Sequence, residues 1–562
     1  MKTHPPIVLP EKYYLDYFES VLLHVEEHYP DILNKAEKSF IRRFRNLSED
    51  ARCLFVRLAN RRGTYFRMSK IKYAEIADLE AALGLLLRRG FFEKLSPGRP
   101  AETGLLLQAF VKQELISMAA SYGAEKKMLA SFRKMKKPEL VRALPETLGS
   151  YHLVRMISRD ETVVRVGFEE ELCMLKFLFF GHIDGDMTQF VVRDIGYIKT
   201  EKYDQRKIRA FFKNRQEAED KLRLSLIYRE FKRLRDEQAL EAVDIYNWFI
   251  KQNLQRSKLS ETALPLFDKI CLRLGKLLEQ QSAFAQALDV FCLTDQPPAR
   301  ERRVRILHKS GQMEAALALC RLMQDAPLNA DERFFAADFC DRIRKKKRTR
   351  LATDYLRNSE SVEIDSDFSK FVEAGALAVF QQQGQEGAFA ENYLWRGFFG
   401  LLFWDIIFDQ DAEAIHHPLQ TAPSDFYTPR FLQRREEALI QRLGVLHHPS
   451  RFLKIIHHHF NTKTGMSNPM VGWHENLLML VERCYYYLNA DQLGNVLLEM
   501  ARDLRENTRG FPDLFVWQGS SYCFVEIKSP NDQLSAQQLY WLRFFERQQI
   551  RAKVVRVNWQ QD

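Results

Sequence analysis

The chain has 562 residues, 46% hydrophobic and 28% charged, with no long Gly-, Ser- or Gln-rich tract, so it has room for several buried cores and is not a disordered or fibrous sequence. No run of about eighteen apolar residues marks a membrane span: the longest candidate, Tyr393 to Phe408, carries Arg396 and Asp405, and residues 1–11 hold three prolines and no apolar signal core. A net charge of +10 favours a polyanionic partner, most simply nucleic acid, and eight cysteines without a C-x-x-C pair argue against a zinc module or a disulfide framework.

Apolar periodicity predicts amphipathic helices over Glu11 to Glu27 and Asp31 to Phe44, and a third from Ser48. An extended Thr64 to Met68, a short helix near Glu75, a helix over Ala81 to Arg89 and a β-like Phe91-Phe92 follow. Helices followed by a short β piece describe a winged-helix-like DNA-binding unit over residues 1–100. Arg42, Arg43, Arg45, Arg61, Arg62, Arg67, Lys70 and Lys72 crowd into it. They read equally well as contacts to duplex phosphates or as a solvated basic face. Ser96-Pro-Gly-Arg-Pro100 then breaks the chain. In residues 101–199, Leu105-Leu-Leu107, Leu115, Met118, Gly123, Lys126-Lys127 and Lys134 to Leu140 (with Lys137) resemble a SAP motif, a small unit that sets basic helices on DNA phosphates. A plain helical hairpin fits the same pattern.

From about Thr200 to Arg350 the sequence is helical throughout and rich in Arg and Lys. Phe284-Ala-Gln-Ala-Leu288 with Val290-Phe291 and Met313-Glu-Ala-Ala-Leu317 with Leu319-Cys320 repeat one pattern at an offset of 29 residues. That is short of the roughly 34 of a tetratricopeptide repeat. Residues 200–375 are therefore expected to form a TPR-like array of stacked helical hairpins with a broad partner surface. Lys345-Lys346-Lys347-Arg348 either grips phosphate or is a solvated helix end.

After about Gly375 the character changes. Phe389 to Phe408 reads as one long apolar helix, and more helices follow to about Glu506. The period then switches to two. Leu514-Phe-Val-Trp517 and Tyr522-Cys-Phe-Val-Glu-Ile527 flank Gln518-Gly-Ser-Ser521, where Gly519-Ser520 makes a two-residue hairpin turn. If Gln518 pairs with Ser521, Asp513 lies directly opposite Glu526, with β-carbons roughly 4.5–5.5 Å apart. Both carboxylates can then reach one divalent ion. Lys528 projects from the same face as Glu526, while Ile527 points into the core and leaves its carbonyl as a further ligand.

This set suits phosphodiester hydrolysis. Carboxylates hold Mg²⁺ or Mn²⁺ with positions left for water and a phosphate oxygen. The metal lowers the pKa of water and offsets charge at phosphorus, and an ammonium beside it stabilises the same charge. A chance surface hairpin can also carry x-Glu-x-Lys. The full run Gly510-Phe-Pro-Asp513, twelve residues, then Glu526-Ile-Lys528 on predicted strands is far more specific, and it spells a PD-(D/E)xK motif. A helix from Ser535 to about Gln548 and a strand Lys553 to Val557 follow. Gln538 closes an S-x-x-Q capping box with Ser535; it can also face the active site, and the two roles are compatible.

Arg509-Gly-Phe-Pro-Asp-Leu-Phe-Val-Trp517, Val525-Glu-Ile-Lys528, Pro530-Asn-Asp532 and Leu534-Ser535 to Gln538 with Trp541-Leu542 resemble the VRR-NUC nuclease domain. In particular they are similar to the version that ends the Fanconi-associated nuclease family, in a bacterial-type member. Leu401-Leu-Phe-Trp-Asp-Ile-Ile-Phe408 is similar to that family's upstream helix. The resemblance implies a metal-ligating Glu shortly before that stretch, and the matching position is Glu391, with Glu386 the alternative if the alignment slips. Independently, Glu391 shares a helix face with Trp395, Phe398 and Leu402, where a carboxylate is costly unless it meets a cation. A wetted first-turn Glu favoured by the helix dipole is the other reading. The order of SAP-like unit, TPR-like array and nuclease also agrees, so the resemblance covers most of the chain, with specific motifs only in its last third.

The expected protein is a multi-domain, mainly α chain, its helical N-terminal and TPR-like domains followed by an α/β, restriction-endonuclease-like nuclease domain over residues 376–562. Asp513, Glu526, Lys528 and Gln538 are the catalytic set, Glu391, Asp513, Glu526 and Ile527 the metal set, and Mg²⁺ or Mn²⁺ the cofactor. Arg42, Arg61, Arg62, Lys70, Lys126, Lys127, Lys137, Lys345 and Lys346 are the expected DNA contacts. The resemblance implies 5′ flap endonuclease and 5′-to-3′ exonuclease activity on branched double-stranded DNA during interstrand crosslink repair, with repair-protein partners on the TPR-like array. Stand-alone VRR-NUC domains resemble dimeric junction resolvases; here helices from about Ala412 to Glu506 can cover that face, so a monomer is expected. The competing readings are a resolvase-like nuclease and a non-catalytic DNA-binding scaffold. The histidines at 416–417, 447–448 and 457–459 lack the i,i+4 spacing of a shared metal and read as surface or core residues. The expected location is the cytoplasm, at the nucleoid in a bacterium, or the nucleus in a eukaryote.

Overall fold

Asn34 and Ser48 act as helix N-caps, each side chain accepting from a backbone amide three residues on, and so start the helices Lys35–Arg45 and Glu49–Ala59 behind Tyr13–His28. The computed structural model describes residues 9–97, 102–237, 240–345 and 350–560. The described chain divides into two units, one built from the residues up to Tyr197 with Phe212–Ala218, the other from Ile198–Phe211 and the residues from Glu219 onward. Among the described residues no helix is long and apolar enough to cross a membrane, and the eight cysteines are free thiols.

In the first unit, Phe55 packs edge-on or tilted against Phe40, Phe44 and Phe91, and Phe40 and Phe44 lie near-parallel. Strand β1 (Tyr65–Arg67) and strand β2 (Phe92–Lys94) do not pair with each other. Strand β3 (Val163–Val166) inserts between them, antiparallel to both. The wing is thus completed by a strand that follows the helices from Thr103–Gln108 to Ser150–Asp160. The expected short helix near Glu75 does not form. That carboxylate is instead taken by Arg57 and by the Tyr14 hydroxyl at 2.9 Å, which holds the segment as turns.

In the second unit, Leu264–Gln280 pairs with Phe284–Phe291 and Ala299–Lys309 with Met313–Asp325. The two similar sequence segments begin the second helix of each hairpin, which is why they repeat. Beyond Ala330–Lys345 comes a five-stranded sheet. Its strands are β4 (Glu360–Ile364), β5 (Glu386–Phe389), β6 (Leu514–Gln518), β7 (Ser521–Lys528) and β8 (Ala552–Trp559), in the order β4-β8-β7-β6-β5. Strand β8 is parallel to β4 and β7; β5 and β7 are antiparallel to β6. The sheet therefore recruits residues 360–364, upstream of the expected start of the nuclease domain at 376, and β5 from within it. Both are short edge strands with exposed charges, which carry little periodic signal.

The helix Val372–Gln382 covers one face, Ala376 and Phe380 packing on Leu514, Val516, Val525 and Ile527. The other face is covered by Trp395, Phe398 and Trp541, with Phe511, Phe515 and Phe524 between them. The apolar stretch expected as one helix to Phe408 breaks after Leu402: Glu391–Leu402 stops, and Trp404–Ile407 is a separate turn. The reason lies in later helices. Arg442 donates to the Leu402 carbonyl at 2.7 Å, and His459 Nδ1 donates to that of Leu401 at 2.6 Å. These carbonyls therefore have partners without a continuing helix.

Candidate active site

The hairpin β6–β7 has the register that the two-residue turn requires. Gln518 pairs with Ser521 and Leu514 with Val525, with Gly519 at φ +57° in the turn. Asp513 stands one position before the ladder, across from Glu526. Its Oδ2 accepts the Ile527 amide at 2.7 Å, and its own carbonyl accepts the amides of Ala390 at 2.7 Å and Glu391 at 3.0 Å. Those two backbone bonds fix the start of the helix Glu391–Leu402 beside the hairpin. Gly510 is needed just upstream: it sits at φ +81°, and a β-carbon there would lie 2.9 Å from the Gln537 backbone.

Glu526 is 1% exposed and Lys528 8%. Lys528 Nζ lies 2.9 Å from Glu526 Oε1 and donates to Gln538 Oε1 at 3.1 Å. Gln538 Nε2 in turn donates to Glu526 Oε1, while Gln538 and Ser535 cap the helix Ala536–Arg547 reciprocally. Gln538 thus holds both roles read from the sequence. Glu526 Oε2 is buried without a hydrogen-bond partner, an expensive position for a carboxylate oxygen. Ile527 faces the core, as expected.

Burial drives the electrostatics. Desolvation, then the negative charge of Asp513, pushes Glu526 up to about 8, although Lys528 pulls it down. Desolvation likewise lifts Asp513 to about 6, against the Ile527 amide and Lys528, which favour its charged form. Two further carboxylates, Glu373 and Glu391, add repulsion at Asp513. Glu373 was not singled out in the sequence: it is a first-turn Glu of Val372–Gln382, a pattern that helix-dipole preference also produces.

Glu391 takes the wetted, first-turn reading of its two. It is exposed, not set within the Trp395–Phe398 stripe, and its carboxylate accepts from Asn392 Nδ2 at 2.8 Å. As the first residue of its helix it has no preceding turn to cover it. Among the described residues no three His, Cys, Asp or Glu side chains converge into a preformed metal cage. The opposed Asp513–Glu526 pair is the nearest to one, with Glu391 and Glu373 at its rim. Glu386 lies on β5 opposite Trp517, at the far end of that strand.

The basic residues fall in different settings. Arg42, Arg61, Arg62, Lys126 and Lys127 are exposed. Lys70 is 3.6 Å from Glu114, and Arg67 is held between Glu114 and Glu161. Lys137 is half-buried and donates to the Gln108 carbonyl at 2.9 Å; Lys345 pairs with Asp341 at 2.9 Å. Lys346 lies outside the described residues. Buried His416 donates from Nδ1 to the Arg209 carbonyl at 2.8 Å and accepts at Nε2 from the Ser424 hydroxyl at 2.7 Å, and burial lowers it to about 4.

Two family models match: "FAN1, HTH domain" over residues 12–93 and "VRR-NUC domain" over residues 448–559. The second covers the β6–β7 hairpin and begins downstream of Glu373 and Glu391. A Fanconi-associated nuclease 1 homolog of Pseudomonas aeruginosa is 28% identical over 99% of this chain and 97% of its own length. The homolog of Arabidopsis thaliana is 24% identical over 90% of this chain, and the human Fanconi-associated nuclease 1 23% identical over 96%; the match spans 62% of each of those longer proteins. Among solved structures, paFAN1 bound to DNA with a 2-nt 5′ flap and a gap superposes with a TM-score of 0.82 at 26% identity, covering 99% of this chain and 100% of that one. The agreement runs from the helical N-terminus to the sheet that carries Asp513 and Glu526: nearly the whole chain is similar to members of the Fanconi-associated nuclease family.

Proposed function

We propose that this chain is a divalent-metal-dependent DNA nuclease that cuts branched double-stranded DNA near 5′ flaps, with 5′-to-3′ exonuclease activity, during interstrand crosslink repair. The observation that carries the reading is the opposed Asp513–Glu526 pair with its orphaned, buried Glu526 Oε2. Like charges held this way without a cation are costly, and an oxygen-ligated Mg²⁺ or Mn²⁺ suits that donor set. Asp513 and Glu526, the Ile527 carbonyl and the rim carboxylate Glu391 are the proposed holders. When bound, the metal supplies positive charge where negative charge gathers at the reacting phosphorus.

The protein groups do the rest. The Ile527 amide fixes one Asp513 oxygen and so sets the direction of the other. Gln538 tethers Glu526 and Lys528 together. Lys528 presents an ammonium beside the carboxylates, where it can stabilise a phosphate oxygen as charge develops. The exposed Arg42, Arg61, Arg62, Lys126 and Lys127 contact duplex phosphates; Lys70, Lys137 and Lys345 contribute once their present contacts are exchanged for phosphate, and Lys346 is a further proposed contact. The working domains are 1–100, 101–199, 200–375 and 376–562, the last two sharing the sheet through β4. The protein acts as a monomer at the cell's DNA, with repair partners on the TPR-like array.

The likeness to flap-bound paFAN1 supports the substrate assignment. Cleavage of end-labelled flap, fork and four-way substrates tests it, with Asp513→Ala alongside. Expected are metal-dependent cuts near the 5′ flap that Asp513→Ala abolishes while DNA binding persists. Binding without cleavage by the parent in either metal would establish a scaffold, and symmetric four-way cutting by a stable dimer a resolvase.

A further inference from the structure

Strands β7, β8 and β4 run parallel, so their carboxyl ends lie along one edge of the sheet. In α/β sheets the crevice outside that edge is where ligands bind. Lys528 is the last residue of β7 and pairs with Arg556 on β8, which pairs in turn with Ser361 on β4. Adjacent strands lie roughly 4.8 Å apart. Arg556 is therefore the next residue after Lys528 along this edge, on the side away from Asp513.

Packing fixes the face independently of the register. Val555 and Val557, on either side of Arg556, pack with Ile527 on the face covered by Val372–Gln382, and side chains alternate along a strand. Val554, the partner of Glu526 in the ladder, packs instead on Leu534 and Leu542. Leu542 belongs to the helix Ala536–Arg547, whose Gln538 holds Glu526 and Lys528. Arg556 thus projects from the face that carries Glu526 and Lys528. Val554 is covered there, whereas Arg556, two residues nearer the carboxyl end, is exposed.

The protein itself gives this cation no use. Among the described residues Arg556 makes no ion pair or hydrogen bond, although Glu363 shares its face two residues beyond Ser361. Lys553, on the opposite face of the same strand, is taken by Glu360 at 2.7 Å. Single exposed arginines are ordinary; one on an interior strand, without a partner and next in register to the active lysine, is not. Charge is also divided along the edge. Glu391 follows β5 and Asp513 precedes β6, while Lys528 and Arg556 end the face on β7 and β8. A phosphate chain laid across the carboxylate pair is repelled on the first side and attracted on the second. Arginine adds a planar fork that takes two phosphate oxygens at once.

We propose that Arg556 binds the phosphate next to the scissile one, so that the cleaved strand leaves the Asp513–Glu526 pair over Lys528 toward β8. The assignment deepens the nuclease reading and rests on it. It adds the path of the cleaved strand across the sheet edge and the contact that sets how far the scissile phosphate advances onto the carboxylates.

The test uses the full chain and 5′-flap substrates that carry one uncharged methylphosphonate, placed immediately 5′ or immediately 3′ of the scissile phosphate. Single-turnover cleavage is measured in Mg²⁺ or Mn²⁺ for the parent, Arg556→Ala and Arg556→Lys. Arg556→Ala should slow cleavage of the unmodified substrate roughly ten- to a hundred-fold, as losing a charge-assisted hydrogen bond does. Arg556→Lys keeps the charge without the fork and should recover part of that loss. One of the two methylphosphonates should slow the parent by a similar factor and slow Arg556→Ala no further, because the contact it removes is already gone. A merely structural role would let the two losses multiply at both positions. A parent that cuts, with Arg556→Ala within about twofold of it or with losses that multiply at both positions, overturns the phosphate contact and leaves the nuclease reading intact. A parent that cuts no substrate overturns both.

Discussion

Metal binding to this site should expel a proton. Burial and mutual repulsion push Glu526 up to about 8 and Asp513 to about 6, so at pH 7 the coupled pair holds about one proton, chiefly on Glu526. A carboxyl must ionise to ligate a cation. Titrating Mg²⁺ or Mn²⁺ into the full chain by calorimetry, in buffers of different ionisation enthalpy, should therefore report about one proton released per site at pH 7 and nearly none by pH 9.5. The apparent affinity should climb about tenfold per pH unit between pH 6 and 8 and then level off. Glu526→Gln should release almost no proton and bind weakly at every pH.

The sign for stability follows from the same shifts. Both folded-state values lie above the ordinary carboxyl range. The contribution of these groups is therefore fully present below about pH 4 and is lost as pH rises toward about 8 in metal-free protein. Metal should consequently raise the unfolding temperature more at pH 8 than at pH 5. Metal binding at pH 7 with no proton release and no pH dependence would mean that both carboxylates are already ionised. Burial and mutual repulsion would then not be what sets their protonation.

Lys528→Met should lower the cleavage rate roughly 10²–10³-fold, as loss of one charge-stabilising donor does, while calorimetry still reports metal binding. Gln538→Ala should cost roughly 10–100-fold in metal affinity or rate, because Glu526 and Lys528 lose their shared tether; an unchanged rate would leave Gln538 a helix cap alone. Arg61→Ala with Arg62→Ala should weaken binding to all duplex sequences alike and reduce the slope of log affinity against log salt by about two, measured by fluorescence anisotropy.

The active hairpin was legible because every signal for it is local. Strict alternation, a Gly519-Ser520 turn and a fixed residue count between Asp513 and Glu526 determine the register, and register places the two carboxylates and Lys528 on one side. Ser535 and Gln538 were legible as a cap for the same reason, and the paired segments at Phe284 and Met313 as helical hairpins. Strands β3, β4 and β5 were not legible. Each is only four or five residues long and forms by pairing with a strand distant in sequence, so no periodicity of its own announces it. Glu391 was found through resemblance, and of its two readings the exposed first-turn position is the one it takes. Side-chain position at a helix start depends on what the helix abuts, here the Asp513 carbonyl. Glu373 carried no sequence signal of its own. Only the return of Val372–Gln382 along β5 brings it to the end of the sheet where Asp513 stands. The sequence by itself determined the chemistry of the hairpin, because that chemistry lies within one local ladder. Tertiary structure decided what surrounds it, because non-local pairing and burial set which carboxylates repel and which oxygen is left without a partner.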